Sequence, residues 1–542
     1  MSLGLHLLNE PGLVADKGLG LIVDHARLLH LTLRRLRGKT PAPVIEPDRD
    51  DRRFAADGWR DRLPFDLVKQ SYLLVSRALR EAAAEVGGLD PDTARKAAFH
   101  LRRLIDAAAP SNFLPTNPEA LQAAWESGGE SLIRGLDNLL SDLEAGQGSL
   151  RLRITDETAF RLGENVAVTP GKVIFQNDLM QLIQYQPTTA KVFRRPLLIV
   201  PPWINKFYVL DLQPRNSFLR WAVAQGHTVF VVSWVNPDGR LRNKRFDDYM
   251  LEGPLAALDA IEKATSARTV NVVGYCIGGT LLACALAYMA AKGDRRVRSA
   301  TFLTTLVDFT EPGDLKVFID RRQLANLDRG MARKGYLDGR QMSHVFTLLR
   351  ANDLIWSTVV RRYLLGQKPA AFDLLYWNAD STRMPAMMHG FYLRRMYLEN
   401  KLAEPGGIVL DGVPIDLRKI EVPTYLVATE EDHIVPWRGA FAATGLYKGP
   451  IRFVLAASGH IAGVVNPPDR RKYWHWTNPS PAATPDDWLK GATRIDGSWW
   501  PDWAAWLAGQ GGAKVTARIP GTGGLAAIED APGSYVKVRA ED

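Results

Sequence analysis

From about residue 155 the chain falls into short, β-branched apolar runs separated by helical stretches, and this alternation constrains the fold more than any other feature. The runs are Lys191–Val200 (ending LLIV), His227–Trp234 (HTVFVVSW), Thr269–Gly274 (TVNVVG), Val297–Leu306, Thr424–Ala428 (TYLVA) and Ile451–Ala456 (IRFVLA). Apolar runs bounded by turn residues read as strands buried on both faces, and helices between them serve as the crossovers that parallel strands need. An α/β fold with a mostly parallel sheet is therefore expected. The rhythm lapses between Asp308 and about Glu421, in a stretch rich in aromatics, Met and Arg. That stretch, about 309–421, is read as an insertion capping the sheet.

Residues 1–150 carry a different period. Phe65–Val86, Ala94–Ala109 and Pro118–Leu143 place apolar residues three and four apart, as amphipathic helices do, with a turn at Pro110-Ser111-Asn112. The expected organisation is a helical N-terminal domain (1–150) for docking or oligomerisation, a catalytic domain (151–509) and a Gly-rich, loosely packed extension (510–542). The 542 residues carry 68 Lys+Arg against 59 Asp+Glu, an excess of +9 spread in short clusters with no basic tail. This argues against a nucleic-acid partner. No basic start followed by an apolar stretch marks a signal peptide, and no run reaches the ~18 residues of a transmembrane segment. The two cysteines, Cys276 and Cys284, would lie roughly 12 Å apart on one helix, too far for a disulfide. A reducing, cytoplasmic location is expected.

Chemistry concentrates in Thr269–Ala283, TVNVVGYCIGGTLLA. An apolar strand runs through Gly274-Tyr275-Cys276-Ile277-Gly278-Gly279 into a helix, which is the G-x-S-x-G nucleophile elbow with cysteine in place of serine. The helix N-terminus behind Cys276 favours a thiolate and an oxyanion. A base and an acid should follow in chain order. TYLVA runs into Glu430-Glu431-Asp432-His433, and IRFVLA ends at Ser458-Gly459-His460, so both candidates lie just past strand C-termini. Asp432 is favoured over Glu430 and Glu431 because it sits deeper in the turn. His460 is favoured as base, with His433 in the acid loop as a supporting residue. The backbone N–H of Ile277 and one from Trp203 or Ile204, in the loop after LLIV, are the candidate oxyanion donors; Pro202 has none. No His/Cys/Asp set has metal-ligand spacing.

These segments, together with DRRFAADGWRDRLPFDLVKQSY (51–72), PSNFLPTNPEA (110–120), PPWINKFYVLDL (201–212), FDLLYWNADST (372–382), EDHIVPW (431–437) and SGHIAGVVNP (458–467), resemble the class I polyhydroxyalkanoate synthases. The resemblance runs from about Asp50 to about Leu507. It implies an α/β-hydrolase fold and polymerisation of (R)-3-hydroxyacyl-CoA, with short-chain units such as 3-hydroxybutyryl-CoA expected, through a thioester on Cys276. His460 would be the base and Asp432 its partner. It further implies a homodimer at the surface of cytoplasmic polyester granules, with CoA as leaving group and no separate cofactor. Cysteine suits exchange with a thioester, because the bond type is conserved. Two other readings use the same residues: a Cys-dependent thioesterase or lactone hydrolase, and a non-catalytic granule-coat protein that kept the fold.

Overall fold

The computed structural model describes residues 2–48, 51–146, 148 and 150–540, apart from the side chains of Ser2 and Leu5. The chain divides into two compact units, residues 1–156 with 345–371, and 157–344 with 372–542.

The larger unit is built on an eleven-stranded sheet. Its strands in chain order are β1 (Gly171–Gln176), β2 (Met180–Tyr185), β3 (Leu197–Val200), β4 (Val229–Trp234), β5 (Val270–Tyr275) and β6 (Val297–Leu303). They continue with β7 (Thr424–Thr429), β8 (Ile451–Ala456), β9 (Trp474–Thr477), β10 (Thr493–Asp496) and β11 (Glu529–Asp530). The spatial order is β10-β9-β8-β7-β6-β5-β3-β4-β2-β1-β11. β8, β7, β6, β5, β3 and β4 pair in parallel, and the flanking strands are antiparallel. The order reverses at β3, which lies between β4 and β5. In open α/β sheets such a reversal opens a crevice at the strand C-termini, where ligands bind.

Every residue of β3, β4, β5 and β7 is buried, as their unbroken apolar runs predict. One face is covered by the helix Ile277–Lys292, buried along most of its length and apolar all round. The other face receives the helix Trp500–Gly511, whose Trp500 and Trp503 are sealed beside Trp499. All three indoles are hydrogen-bonded: Trp503 to Thr301 Oγ1 (3.0 Å), Trp499 to the Gly463 carbonyl and Trp500 to the Val464 carbonyl (both 2.9 Å).

Two expectations need correction in this unit. The tail is not loose: Lys514–Thr516 pairs with Lys191–Phe193, β11 pairs with β1, and Val536 is buried. Extended residues can join a sheet edge through main-chain bonds alone, which composition does not reveal. The interval 309–421 is also not one piece, because residues 345–371 group with the N-terminal helices.

In the smaller unit the helix Pro11–Leu36 packs on Leu63–Glu85, which also meets Pro91–Ala107. The single helix expected over Pro118–Leu143 is two, Pro118–Glu126 and Glu130–Ala145. Gly128 (φ 59°) and Gly129 (φ 90°) adopt left-handed backbone between them, which glycine enters without steric penalty. Residues 345–371 are tied in by Asp142, fully buried, which accepts Arg362 Nη2 (2.8 Å) and Nε (3.0 Å), Arg153 Nε (2.7 Å) and the Tyr363 hydroxyl (2.8 Å).

Candidate active site

Cys276 sits where β5 ends and the helix Ile277–Lys292 begins, with φ 54° and ψ −126°. A non-glycine residue in this region is strained, and such strain is characteristic of elbows that push a nucleophile out of the sheet. The Cys276 N–H is held by the Leu303 carbonyl (2.9 Å), and its own carbonyl accepts from Gly279 (2.9 Å) and Thr280 (3.1 Å). Small residues are obligatory around it. A Cβ on Gly274 would lie 2.5 Å from Gly279 Cα, and one on Gly278 would collide with the Val200 and Pro201 carbonyls.

The other two predicted residues come from the ends of β7 and β8, which pair with each other, β7 being two strands away from β5. Asp432 follows β7 and is buried; its Oδ1 accepts the N–H groups of Ile434 (2.9 Å) and Val435 (2.8 Å). Its Oδ2 accepts from Thr429 Oγ1 (3.3 Å) and meets His460 Nδ1 at 2.6 Å. His460, in the loop after β8, is close enough to Cys276 for the sulfur to act on its charge. Nδ1 being committed to Asp432, Nε2 is the nitrogen left to take the thiol proton. Burial works against a charged imidazole here. The Asp432 carboxylate and the Cys276 sulfur outweigh it and push the His460 pKa up to about 10.

The indoles of Trp499 and Trp500 grip the carbonyls of Gly463 and Val464, three and four residues beyond His460, and so hold its loop. Tyr275, beside the nucleophile, stacks on the imidazole (centroids 5.7 Å apart) and donates its hydroxyl to the His460 carbonyl (3.2 Å). Only its place within the elbow could have flagged it in the sequence.

The rival carboxylates are placed otherwise. Glu430 accepts both the Trp474 indole N–H (3.2 Å) and that of Trp476, and Glu431 is exposed. His433 is half-buried, and its carbonyl accepts the Asp314 N–H (2.9 Å). Cys284, on the buried side of the elbow helix, is a free thiol whose pKa burial raises.

The loop leaving β3 lies against Gly278, so Trp203 and Ile204 border the helix N-terminus that presents the Ile277 N–H. This loop is clamped from the segment 377–382. Thr382 Oγ1 donates to the Trp203 and Ile204 carbonyls (both 2.6 Å) and Trp377 Nε1 to the Lys206 carbonyl (2.7 Å). Lys206 Nζ meets Asp380 Oδ1 at 2.6 Å in a buried ion pair, and the Tyr208 hydroxyl donates to Asp380 Oδ2 (2.9 Å). Two tyrosines from the aromatic-rich stretch, Tyr392 and Tyr397, feel the charge of Cys276 and meet edge to face with ring centroids 5.4 Å apart. Burial raises both phenol pKa values, so both remain neutral donors. Among the described residues no group of three His, Cys, Asp or Glu side chains is arranged to hold a metal ion, and no helix is long and apolar enough to cross a membrane.

Residues 50–222 match the family described as poly-beta-hydroxybutyrate polymerase (PhaC) N-terminus, and residues 195–467 match the alpha/beta hydrolase fold. The chain is 53% identical to a poly(3-hydroxyalkanoate) polymerase of Methylorubrum extorquens, over 98% of this chain and 87% of the relative. It is 50% identical to a poly(3-hydroxyalkanoate) polymerase subunit PhaC of Rhizobium meliloti, with the same coverage. The corresponding subunit of Cupriavidus necator is 48% identical over 90% of this chain and 83% of its own length.

Proposed function

The chain belongs to the class I polyhydroxyalkanoate synthases, and we propose that it builds polyester from (R)-3-hydroxyacyl-CoA through a thioester carried on Cys276. The observation that carries this mechanism is the buried His460–Asp432 pair, Nδ1 and Oδ2 only 2.6 Å apart, on whose imidazole the Cys276 sulfur acts.

In the first half-reaction the thiol proton already rests on His460 Nε2, whose pKa is pushed up to about 10, and the Cys276 thiolate attacks the acyl-CoA carbonyl. Collapse expels CoA, which leaves with the proton from His460. One thioester forms as another breaks. Asp432 fixes the imidazole by its Nδ1 bond and balances its positive form. The N–H of Ile277, with that of Trp203 or Ile204, holds the oxyanion.

In the second half-reaction the hydroxyl of an incoming hydroxyacyl-CoA gives its proton to His460 and attacks the thioester on Cys276. The ester forms, the sulfur leaves and recovers the proton, and the lengthened chain reloads on Cys276 with release of another CoA. General-base help of this sort contributes typically 10²–10⁴-fold. Elongation needs the hydroxyl to win over water, and the apolar surround from Tyr392 and Tyr397 favours that. His433 supports the acid loop through its backbone. CoA enters as part of the substrate and no separate cofactor is required. The chain is read as acting on short-chain units, as a homodimer, at polyester granules in the cytoplasm.

Incubation with C4 and with C10 3-hydroxyacyl-CoA tests reaction and size class together. Insoluble polyester from the C4 substrate, with one CoA released per unit, is expected; Cys276→Ala should release none. Free hydroxy acid without polymer would instead assign a hydrolase, and equal CoA release by Cys276→Ala would remove the thioester.

A further inference from the structure

The segment FDLLYWNADST (372–382) supplies no reacting side chain to the two half-reactions, yet Trp377, Asp380, Ser381 and Thr382 are all buried, none more than 9% exposed. All four are turned on one loop. Trp377 holds the Lys206 carbonyl, Asp380 takes the Lys206 ammonium and the Tyr208 hydroxyl, and Ser381 forms an antiparallel bridge with Asn205. Thr382 reaches the part of the loop that borders the elbow helix: its Oγ1 lies 2.6 Å from the carbonyl oxygens of both Trp203 and Ile204. A threonine hydroxyl carries one proton, so the two carbonyls share it and converge on the same point. A trans peptide unit is planar and sets its N–H opposite its carbonyl. The Trp203 carbonyl and the Ile204 N–H belong to one unit. Tying that carbonyl to Thr382 therefore turns the Ile204 N–H to the opposite side of the chain. The Trp203 N–H belongs to the preceding unit and is not set by this bond.

We propose, on the reading that Cys276 carries the acyl thioester, that Thr382 is a positioning residue: its hydroxyl holds the Ile204 N–H as the oxyanion donor that joins that of Ile277. Thr382 touches no reacting atom and acts through one peptide unit. Oxyanion donors stabilise the developing charge because they are aimed before it appears and need no reorientation during the step. The aim has to be enforced here, since Ile204 lies in a bend after Pro201-Pro202, outside any helix or strand. Rotation of the Trp203–Ile204 unit would bring a carbonyl oxygen to where the N–H belongs and set it against the oxyanion. That rotation would also cost Thr382 its Trp203 partner, so the bond opposes it. Burial adds to the opposition, because a carbonyl stripped of its donor in the interior finds no water in exchange. The β-branch of threonine restricts χ1 and keeps Oγ1 between the two carbonyls.

Thr382→Val keeps the shape and removes the donor, and three measurements on the full chain separate positioning from packing. Acylation by 3-hydroxybutyryl-CoA, read as first-turnover CoA release, passes through an oxyanion. Binding of a trifluoromethyl ketone forms one outright: the thiolate adds to the carbonyl carbon, the π electrons move to oxygen, and nothing leaves. Alkylation of Cys276 by iodoacetamide displaces iodide from a saturated carbon and forms none. Thr382→Val should slow acylation by about 10–10²-fold, approaching the loss of a whole donor. KM should stay within about 2-fold, as for an interaction made only in the transition state. Affinity for the ketone should fall in parallel, while alkylation holds within about 2-fold. Thr382→Ser, which restores the hydroxyl, should recover most of the acylation rate, and Thr382→Ala gives the same comparison if valine is not accommodated. Equal losses in alkylation and acylation would reduce Thr382 to packing. Unchanged acylation, or a serine variant no better than valine, would overturn the assignment. Wild type that releases CoA with no acyl group on Cys276 would overturn the thioester itself, an outcome distinct from wild type that acylates and is matched by Thr382→Val.

Discussion

Asp142 and Asp432 both have carboxylates with no solvent-exposed surface, one in each unit, and both are fully engaged by donors. Asp142 is surrounded by two guanidinium groups and a phenol. Asp432 is surrounded by two backbone amides, a threonine hydroxyl and an imidazole. Burial is the same, and capacity is opposite. Guanidinium does not give up its proton in a protein, so Asp142 can only tie segments together. Imidazole does, so the proton shared with Asp432 is available for chemistry. What a sealed carboxylate can do thus depends on the titratability of its partner.

Replacing each member of these sets separates the roles. Asp432→Asn should lower chain growth by about 10²–10⁴-fold while leaving partial single-turnover acylation, since the amide preserves shape but misorients the imidazole. Rapid-quench measurement of CoA release against polymer length checks this, and uncurtailed polymer would place the acid elsewhere. Arg362→Met should destabilise the smaller unit by about 3–5 kcal/mol, as breaking a buried pair does, with the pH profile of CoA release unchanged. Urea titration reads the first and initial rates the second; a shifted profile would end the contrast between the two acids.

A pH series sharpens the contrast further. Folded His460 keeps its proton to about pH 10, against an ordinary value of 6.5. Its stabilisation is therefore present in full below about 6.5 and is lost as pH rises through 10. Melting temperature should fall across that window, and His460→Gln should flatten the fall; an unchanged slope would mean the imidazole is not charged in the fold. His433→Gln is expected to have the smallest effect, a few-fold in rate at most, because the Asp432 oxygen that orients the base is held by His460. A loss equal to that of His460→Gln would show the wrong histidine was chosen.

The sheet centre and the three candidate side chains were legible because each lies at the end of an apolar run: TVNVVG before Cys276, TYLVA before Asp432, IRFVLA before His460. Burial on both faces writes itself into consecutive residues. The outer antiparallel strands do not. WHWT pairs a polar residue with each aromatic, and TRID is exposed throughout, so neither carries the apolar run by which strands were found. The Arg362–Asp142 tie joins residues 220 positions apart, beyond any local pattern. Tyr392 and Tyr397 lay in a stretch recognised as aromatic, but which of its rings approach the sulfur depends on how that stretch folds back.

The indole bonds from Trp499 and Trp500 end on carbonyl oxygens at positions 463 and 464. Every amino acid supplies that oxygen. The bonding itself is therefore indifferent to the side chains at 463 and 464, which answer instead to packing, Val464 being fully buried and a Cβ on Gly463 colliding with Thr429, whereas either tryptophan, once replaced, takes its share of the anchorage with it. Bonding thus constrains one end of each bond and packing the other.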